Sequence, residues 1–313
     1  MSLTVVKGWR DLPAEVRGAS VALGNFDGVH RGHRRVIADA AQAAARLKAP
    51  LGVISFDPHP RRLFQPDAEP FHVMSLGQQA RALEALGVDL FYVLPFDAEM
   101  AAMSDHAFAE QVLAQGLGAR HVAVGFDVTY GKGRTGSPQS LAEDGRRLGF
   151  SVSVAERAAD DRDVKYSSSA VRDALKAGRP EEAGEILGRP FAIEGQVVHG
   201  DKRGRTIGFP TLNVSLSDYV RPAFGVYATR TRLEDGREVP GVSNLGRRPT
   251  VNGADERLET HLFDFDEDLY GQTVETALLA FLRPEQKFDG LDALKAQIAA
   301  DAQAARDLLL PPL

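Results

Sequence analysis

From residue 20 to about 155, short apolar runs alternate with longer stretches whose apolar positions recur every three or four residues. The runs 20–25, 51–56, 90–94, 121–125 and 151–154 have strand length and strand composition. Between the first two, Val36, Ile37, Ala40, Ala44 and Leu47 fall on one helix face. Such alternation is the sequence form of βαβ units, so the first half is predicted to be a Rossmann-like α/β layer on a parallel sheet. After about Pro190 the rhythm changes. The runs 191–199, 225–233, 239–245, 258–265 and 274–282 follow one another without long helices, which predicts an antiparallel β-barrel, a sandwich being the other solution. A closing helix, with Asp289 as N-cap and Leu291, Leu294, Ile298, Ala302, Ala305 and Leu309 as its stripe, is expected to dock on that barrel. The glycine-punctuated stretch 176–189 reads as a helical connector, and the domain boundary is set at 184/185, giving domains 1–184 and 185–313.

At 313 residues the chain suits two domains of ordinary size. It has no cysteine, which removes disulfides, thiolate metal sites and a catalytic thiol from consideration. The start lacks a signal-peptide pattern, and no run approaches the ~18 apolar residues of a membrane helix. A cytoplasmic protein without membrane partners is the expectation. A net charge of −6, with the basic residues scattered, argues against a general grip on nucleic acid. Small-molecule substrates are expected instead, with any phosphate binding confined to local sites.

The first such site is VALGNFDGVHRGHRRVI, residues 21–37, at the junction of the first strand and first helix. Ligands of open α/β sheets bind outside the carboxyl ends of their strands. Gly24 and Gly28 allow tight turns, Gly32 leaves room for a close neighbour, and His30 and His33 fall at the positive end of the helix. Nucleotidyl transfer needs charge stabilisation more than a covalent nucleophile, and imidazole hydrogen bonds can supply it. A second glycine string, GKGRTG at 131–136, satisfies GxGxxG but follows the fourth strand rather than the first, so it is not a dinucleotide fingerprint. No GxxxxGK[ST] is present, and a kinase here must cradle phosphate differently.

Gly24, Phe26, Asp27, Gly28, His30, Gly32 and His33 resemble the FMN adenylyltransferase signature of prokaryotic bifunctional riboflavin kinase/FMN adenylyltransferases, the FAD synthetases. SFDPHP at 55–60, GFDVTYGKGRTG at 125–136 and YSSSAVRDAL at 166–175 resemble further signatures of that family. The resemblance implies a nucleotidyltransferase domain in which His30 and His33 are catalytic. It puts Gly24, Phe26, Asp27, Gly28, Gly32, Ser168, Ser169 and Arg172 at the nucleotide, and Asp57 and Asp127 in the flavin or nucleotide pocket. At Ser169 the family commonly has threonine.

The second site is GQVVHGDKRGRTIGFPTLNV, residues 195–214, a glycine-rich loop with three cationic side chains between β-like runs. Its exposed backbone N–H groups suit an anion. It resembles the riboflavin kinase signature, with PTLN where the family usually has Pro-Thr-Ala-Asn. The resemblance implies nucleotide contacts from Gly200, Lys202, Gly204, Arg205 and Gly208, and Mg²⁺ held by Thr211 and Asn213 with the ATP phosphates. In LETHLFDFDEDLYG, 258–271, period two places Glu259, His261, Phe263 and Phe265 on one strand face. Poor solvation there would raise the carboxyl toward the range of a general base. Glu259 matches the family's catalytic base, and Arg283 in the similar run 281–298 is expected at the flavin or ADP, a salt bridge to the closing helix being the alternative. The implied function is FAD biosynthesis: ATP-dependent conversion of riboflavin to FMN, then adenylylation of FMN to FAD with release of pyrophosphate. Two other readings are a different nucleotidyltransferase, such as one acting on tRNA, and a flavin-binding protein without turnover. The first predicts a basic face or an anticodon-binding module, the second the loss of His33 or Glu259.

Overall fold

A computed structural model describes residues 2–156, 166–199, 208–250 and 253–309, without the side chains of 248–250 and 253–255. Packing divides the chain into two units, 1–69 with 76–166 and 70–75 with 167–313.

The first unit holds one sheet of strands β1 (Thr4–Lys7), β2 (Ser20–Leu23), β3 (Leu51–Asp57), β4 (Leu90–Pro95), β5 (His121–Gly125) and β6 (Ser151–Ala155). Their order is β1-β4-β3-β2-β5-β6 and every pair is parallel. All of β2 is buried, as both faces of a central parallel strand are covered. Helix α1 (Arg31–Leu47) leaves the carboxyl end of β2 and packs through Val36, Ile37, Ala40, Ala43 and Ala44, the stripe read from the sequence with Ala43 added and Leu47 only half-buried at its end. From β2 the chain builds outward to β3 and β4, then crosses to β5 and β6 on the other side. A sheet of this kind opens its ligand crevice where that direction reverses, at the carboxyl end of β2 between β3 and β5. The edge strand β1 was not legible: it is four residues long and largely exposed.

After residues 70–75, the second unit continues with helices α2 (Ser168–Lys176) and α3 (Pro180–Leu187); an activity-based boundary at 184/185 leaves α2 in the first half and cuts through α3, but both pack in this unit. Strands β7 (Phe191–Gln196), β8 (Leu212–Ser215), β9 (Gly225–Arg232), β10 (Glu238–Thr250), β11 (Gly253–Leu262) and β12 (Thr273–Pro284) follow, in the order β7-β12-β9-β10-β11-β8 with every pair antiparallel. The N–H of Val198, just past β7, donates to the Asn213 carbonyl on β8 at 2.9 Å, so the sheet nearly closes into a barrel. Buried hydroxyls inside it bond to one another: Thr229 to Ser243 at 2.8 Å, Ser243 to Thr260 at 2.7 Å, and Thr231 to Thr276 at 3.0 Å.

Helix α4 (Leu291–Leu309) starts after Gly290, one residue later than the Asp289 cap implies, and Leu291 is exposed. Its docking stripe is therefore the later part of the predicted one, Ala302, Ala305 and Leu309, packed with Val226, Ala228, Val242 and Phe263. Strand β8 also escaped the reading of the pattern, being four residues at the end of a glycine-rich stretch of sequence.

Candidate functional site

In the first unit the loop between β2 and α1 is tightly wound. Phe26, Gly28 and Val29 have φ of 49°, 92° and 38°, three left-handed residues within four. Such conformations persist only where surroundings over-determine them. Here Phe26 and Val29 are fully buried, and the carbonyl of Asn25 accepts from Ser55 Oγ at 2.8 Å and Gln79 Nε2 at 2.9 Å. Sequence reasoning missed Ser55 and Gln79. Ser55 was available inside SFDPHP as a small hydroxyl at the end of a buried strand, whereas Gln79 carries no local signal.

His30 is the N-cap of α1, and its Nδ1 accepts from the His33 N–H at 3.2 Å. That bond leaves Nε2 as the N–H donor of the ring when it is neutral. The rings of His30 and His33 stack with centroids 3.5 Å apart and 18° between planes, and Phe26 lies 5.1 Å from His33. Gly32 is required by crowding: a Cβ there would stand 2.7 Å from the Tyr166 carbonyl oxygen and 3.1 Å from two atoms of the His30 ring. Gly24, Phe26, Asp27, Gly28, His30, Gly32 and His33 are thus brought into one corner at a helix N-terminus, where an anion is favoured.

Asp57 closes β3 and Asp127 lies two residues past β5, both exposed and both on the carboxyl edge that carries the histidines. Exposed Phe64 and Phe126 flank the same edge, and Phe64 meets Phe96 edge-on at 5.9 Å. The sequence reading overlooked both phenylalanines; large apolar residues next to a cluster of loop acids were the signal. The GKGRTG string is a closed loop: Tyr130 and Gly136 bridge its ends and the Lys132 N–H donates to the Met103 carbonyl at 2.7 Å.

Ser168, Ser169 and Arg172 fold with the second unit, on the first turns of α2. Arg172 donates from Nε to the Phe71 carbonyl at 2.6 Å and lies 5.6 Å over the Phe71 ring.

In the barrel, Gly200, Lys202, Gly204 and Arg205 lie outside the described residues. Gly208 is described, with φ of 89°. Asn213 on β8 stands directly opposite Glu259 on β11, and Asn244 on β10 is opposite Glu259 from the other side. Cross-strand partners share a face, so Asn213, Glu259 and Asn244 form one polar row. On β11 the buried residues Leu258, Thr260 and Leu262 alternate with half-buried Arg257, Glu259 and His261. Glu259 therefore points out of the barrel interior, with His261, whose Nδ1 is 2.9 Å from the Pro210 carbonyl oxygen.

Phe263 continues that outer face, beneath the guanidinium of Arg306 at 4.2 Å. Phe265 does not. Asp264 has φ of 53°, which breaks the alternation and turns Phe265 into a cavity. Glu259 keeps one phenylalanine of the expected two on its face.

That cavity, about 390 Å³, is walled by Thr211 and Leu212 on one side, by Thr260 and Leu262 of the β11 interior face, and by the loop 265–270. Thr211 thus borders both the cavity and the polar row. The side-chain oxygen of Asn213 is buried and accepts no hydrogen bond from the described residues. Among the described residues no cluster of three His, Cys, Asp or Glu could hold a metal. A buried neutral oxygen two residues along the chain from Thr211 fits a hard cation that takes its remaining ligands from phosphate and water. Arg283, expected at the flavin, is engaged by α4: its Nε lies 2.9 Å from Asp301 Oδ1 and its terminal nitrogen 2.7 Å from Oδ2.

Comparison with known proteins matches both halves in order. A family model described as FAD synthetase covers residues 12–170, and one described as riboflavin kinase covers 187–309. The Escherichia coli K12 protein named bifunctional riboflavin kinase/FMN adenylyltransferase is 40% identical over 97% of each chain. A relative of the same name from Bacillus subtilis is 39% identical over 91% of this chain and 90% of its own. A solved structure from Streptococcus pneumoniae, described as a macrolide-efflux protein, superposes with a TM-score of 0.84 at 31% identity, over 98% of this chain and 99% of that one. No described helix is long and apolar enough to cross a membrane. With two family models spanning its units and near-complete alignment to curated relatives, the chain belongs to the bifunctional riboflavin kinase/FMN adenylyltransferase family.

Proposed function

We propose that the chain makes FAD from riboflavin in two ATP-dependent steps, each unit carrying the reacting groups of one step. The observation that carries this reading is the pair of unlike phosphate sites, a histidine-capped helix N-terminus in one unit and a threonine-asparagine-glutamate row in the other.

In the barrel unit the 5′-hydroxyl of riboflavin attacks the γ-phosphorus of ATP. The new O–P bond forms as the bond to the β-phosphate oxygen breaks, ADP leaves, and the hydroxyl proton goes to the Glu259 carboxylate. The cavity beside Thr211 is the natural seat of the nucleotide, since it lets the triphosphate run from a half-open pocket toward the polar row. Thr211 and Asn213 would hold Mg²⁺, which when bound neutralises charge on the transferring phosphoryl group. The buried oxygen of Asn213, without a hydrogen-bond donor among the described residues, supports that assignment.

In the first unit a phosphate oxygen of FMN attacks the α-phosphorus of ATP, and pyrophosphate leaves. His30 and His33 donate hydrogen bonds to the charge that grows on the α-phosphate and its leaving group, assisted by the amino end of α1. Their stacking and the fixed Asn25 carbonyl preorganise them, so little reorganisation accompanies the reaction. The exposed rings of Phe64 and Phe126 offer stacking surfaces for a flavin ring on the edge that carries Asp57 and Asp127. A chain free of cysteine that uses ATP fits a cytoplasmic setting.

Incubation of the purified protein with riboflavin, ATP and Mg²⁺, resolved by chromatography, should yield FMN first and FAD after it. Formation of neither product would sink the proposal, and FMN without FAD would remove the first unit's role.

A further inference from the structure

We propose that Arg237 is a positioning residue of the kinase reaction, holding the cavity-wall segment 265–267 in the shape that receives ATP. The proposal rests on the reading of that cavity as the nucleotide seat.

Arg237 does not line the cavity. It sits in the turn between β9 and β10, where the Leu233 N–H donates to the Arg237 carbonyl at 2.9 Å. From there its two terminal nitrogens grip both oxygens of Glu267, at 2.6 and 2.8 Å. Its guanidinium also stands 5.8 Å from the Phe265 ring centroid. Phe265 and Glu267 both belong to the cavity wall. The guanidinium is itself aimed: Asp235 in the same turn accepts from its Nε at 2.6 Å and from its backbone N–H at 2.9 Å. A second tie runs from the same turn, where Glu234 Oε1 accepts from the Thr273 N–H at 2.6 Å.

The rest of the loop is anchored elsewhere. At its start Arg306 pairs with Asp264, at 2.8 and 3.1 Å. At its end the Val197 N–H donates to the Gln272 carbonyl and the Gly271 N–H to the Val197 carbonyl, at 2.9 and 3.0 Å. Arg237 and Glu267 fix the middle, where neither anchor reaches. Asp235, Arg237 and Glu267 are all exposed, so this pair contributes little to the stability of the fold. A forked guanidinium pair already oriented by Asp235 does something else: it orders the wall before the ligand arrives, so binding does not bear that entropy.

Loss of the clamp weakens a contact that is equally present in the ground state and the transition state, because the wall lies away from the transferring phosphoryl group. The Michaelis constant for ATP should rise while kcat stays constant. For surface charge pairs the corresponding change is about two- to fivefold.

The test uses the full chain at saturating riboflavin with ATP varied. Arg237→Gln and Glu267→Gln should each raise KM for ATP by about two- to fivefold, with kcat and the KM for riboflavin unchanged. The double variant should be no worse than either single change, as two ends of one interaction require. Arg237→Lys, which keeps the charge but not the fork, should fall between, and it preserves the test if a glutamine variant folds poorly. Tyr270→Ala, which strips the cavity wall directly, should raise KM for ATP by itself. If Tyr270→Ala does so and Arg237→Gln does not, or if the two glutamine effects simply add, the clamp is refuted while the cavity reading stands. If Tyr270→Ala leaves KM for ATP unchanged, the cavity is not the nucleotide seat and both readings fall.

Discussion

Gly32 sits where one added methyl group should separate the two activities. Its Cβ would lie 2.7 Å from the Tyr166 carbonyl oxygen and 3.1 Å from Cε1 and Nδ1 of His30. Comfortable contacts begin near about 3.5 Å, so the clash amounts to roughly 0.8 Å against backbone and about 0.4 Å against the imidazole. The imidazole cannot swing clear, because it is buried, caps α1 and stacks on His33. Overpacking of this kind costs about 1–3 kcal/mol, and displacement of a reacting group by about 1 Å costs up to about a hundredfold in rate. Gly32→Ala should therefore slow FAD formation from FMN and ATP by about 10- to 100-fold, equivalent to about 1.4–2.7 kcal/mol of barrier. Riboflavin phosphorylation, measured on the same preparation, should keep the wild-type rate. An alanine variant whose FAD formation stays within about twofold of wild type would refute the claim that His30 and His33 must hold their present stack.

Asn213→Leu should leave the thermal midpoint unchanged or raise it, since it removes a buried oxygen with no partner among the described residues, yet lower riboflavin phosphorylation at least about tenfold; loss of stability with normal kinase activity would contradict the metal assignment. Asp301→Ala strands the guanidinium of Arg283 in a largely buried pair and should destabilise the barrel unit by about 3 kcal/mol, read as an earlier unfolding transition. His121 is buried between Ser151 and Ser153, at 2.8 and 2.9 Å, and burial, with repulsion from Arg46, holds its pKa below the usual value. The unfolded chain therefore binds more protons, and stability should fall as pH drops below about 6.5 and level off beneath the folded pKa. His106, raised by its bond to Asp144, acts in the opposite direction, so the readout is the difference from His121→Gln, whose midpoint should fall less between pH 7.5 and 5.5.

The sequence pattern exposed the central elements best. Fully buried parallel strands such as β2 leave unbroken apolar runs, and α1 shows its buried stripe at helical spacing. Edge and corner elements were harder to read: β1 is exposed, and β8 hides in a glycine-rich stretch whose pairing with β11 is set by contacts distant in sequence. Glu259 and His261 share a face because alternation is a local rule, but Phe265 leaves it through one left-handed residue, Asp264. A single aspartate at positive φ has no reliable local signature. The same limit explains Gln79 and Arg237, whose roles arise from a carbonyl 54 residues away and a carboxylate 30 residues away.

The division of labour between the two units is tested most directly with two variants and two starting substrates. His33→Ala supplied with riboflavin, ATP and Mg²⁺ should accumulate FMN with little FAD, and Glu259→Gln should convert added FMN to FAD at the wild-type rate while phosphorylating riboflavin about 10²–10⁴-fold more slowly. Loss of FMN formation from riboflavin in folded His33→Ala, loss of FAD formation from added FMN in folded Glu259→Gln, or an unchanged product pattern in both would contradict the assignment of one reaction to each unit.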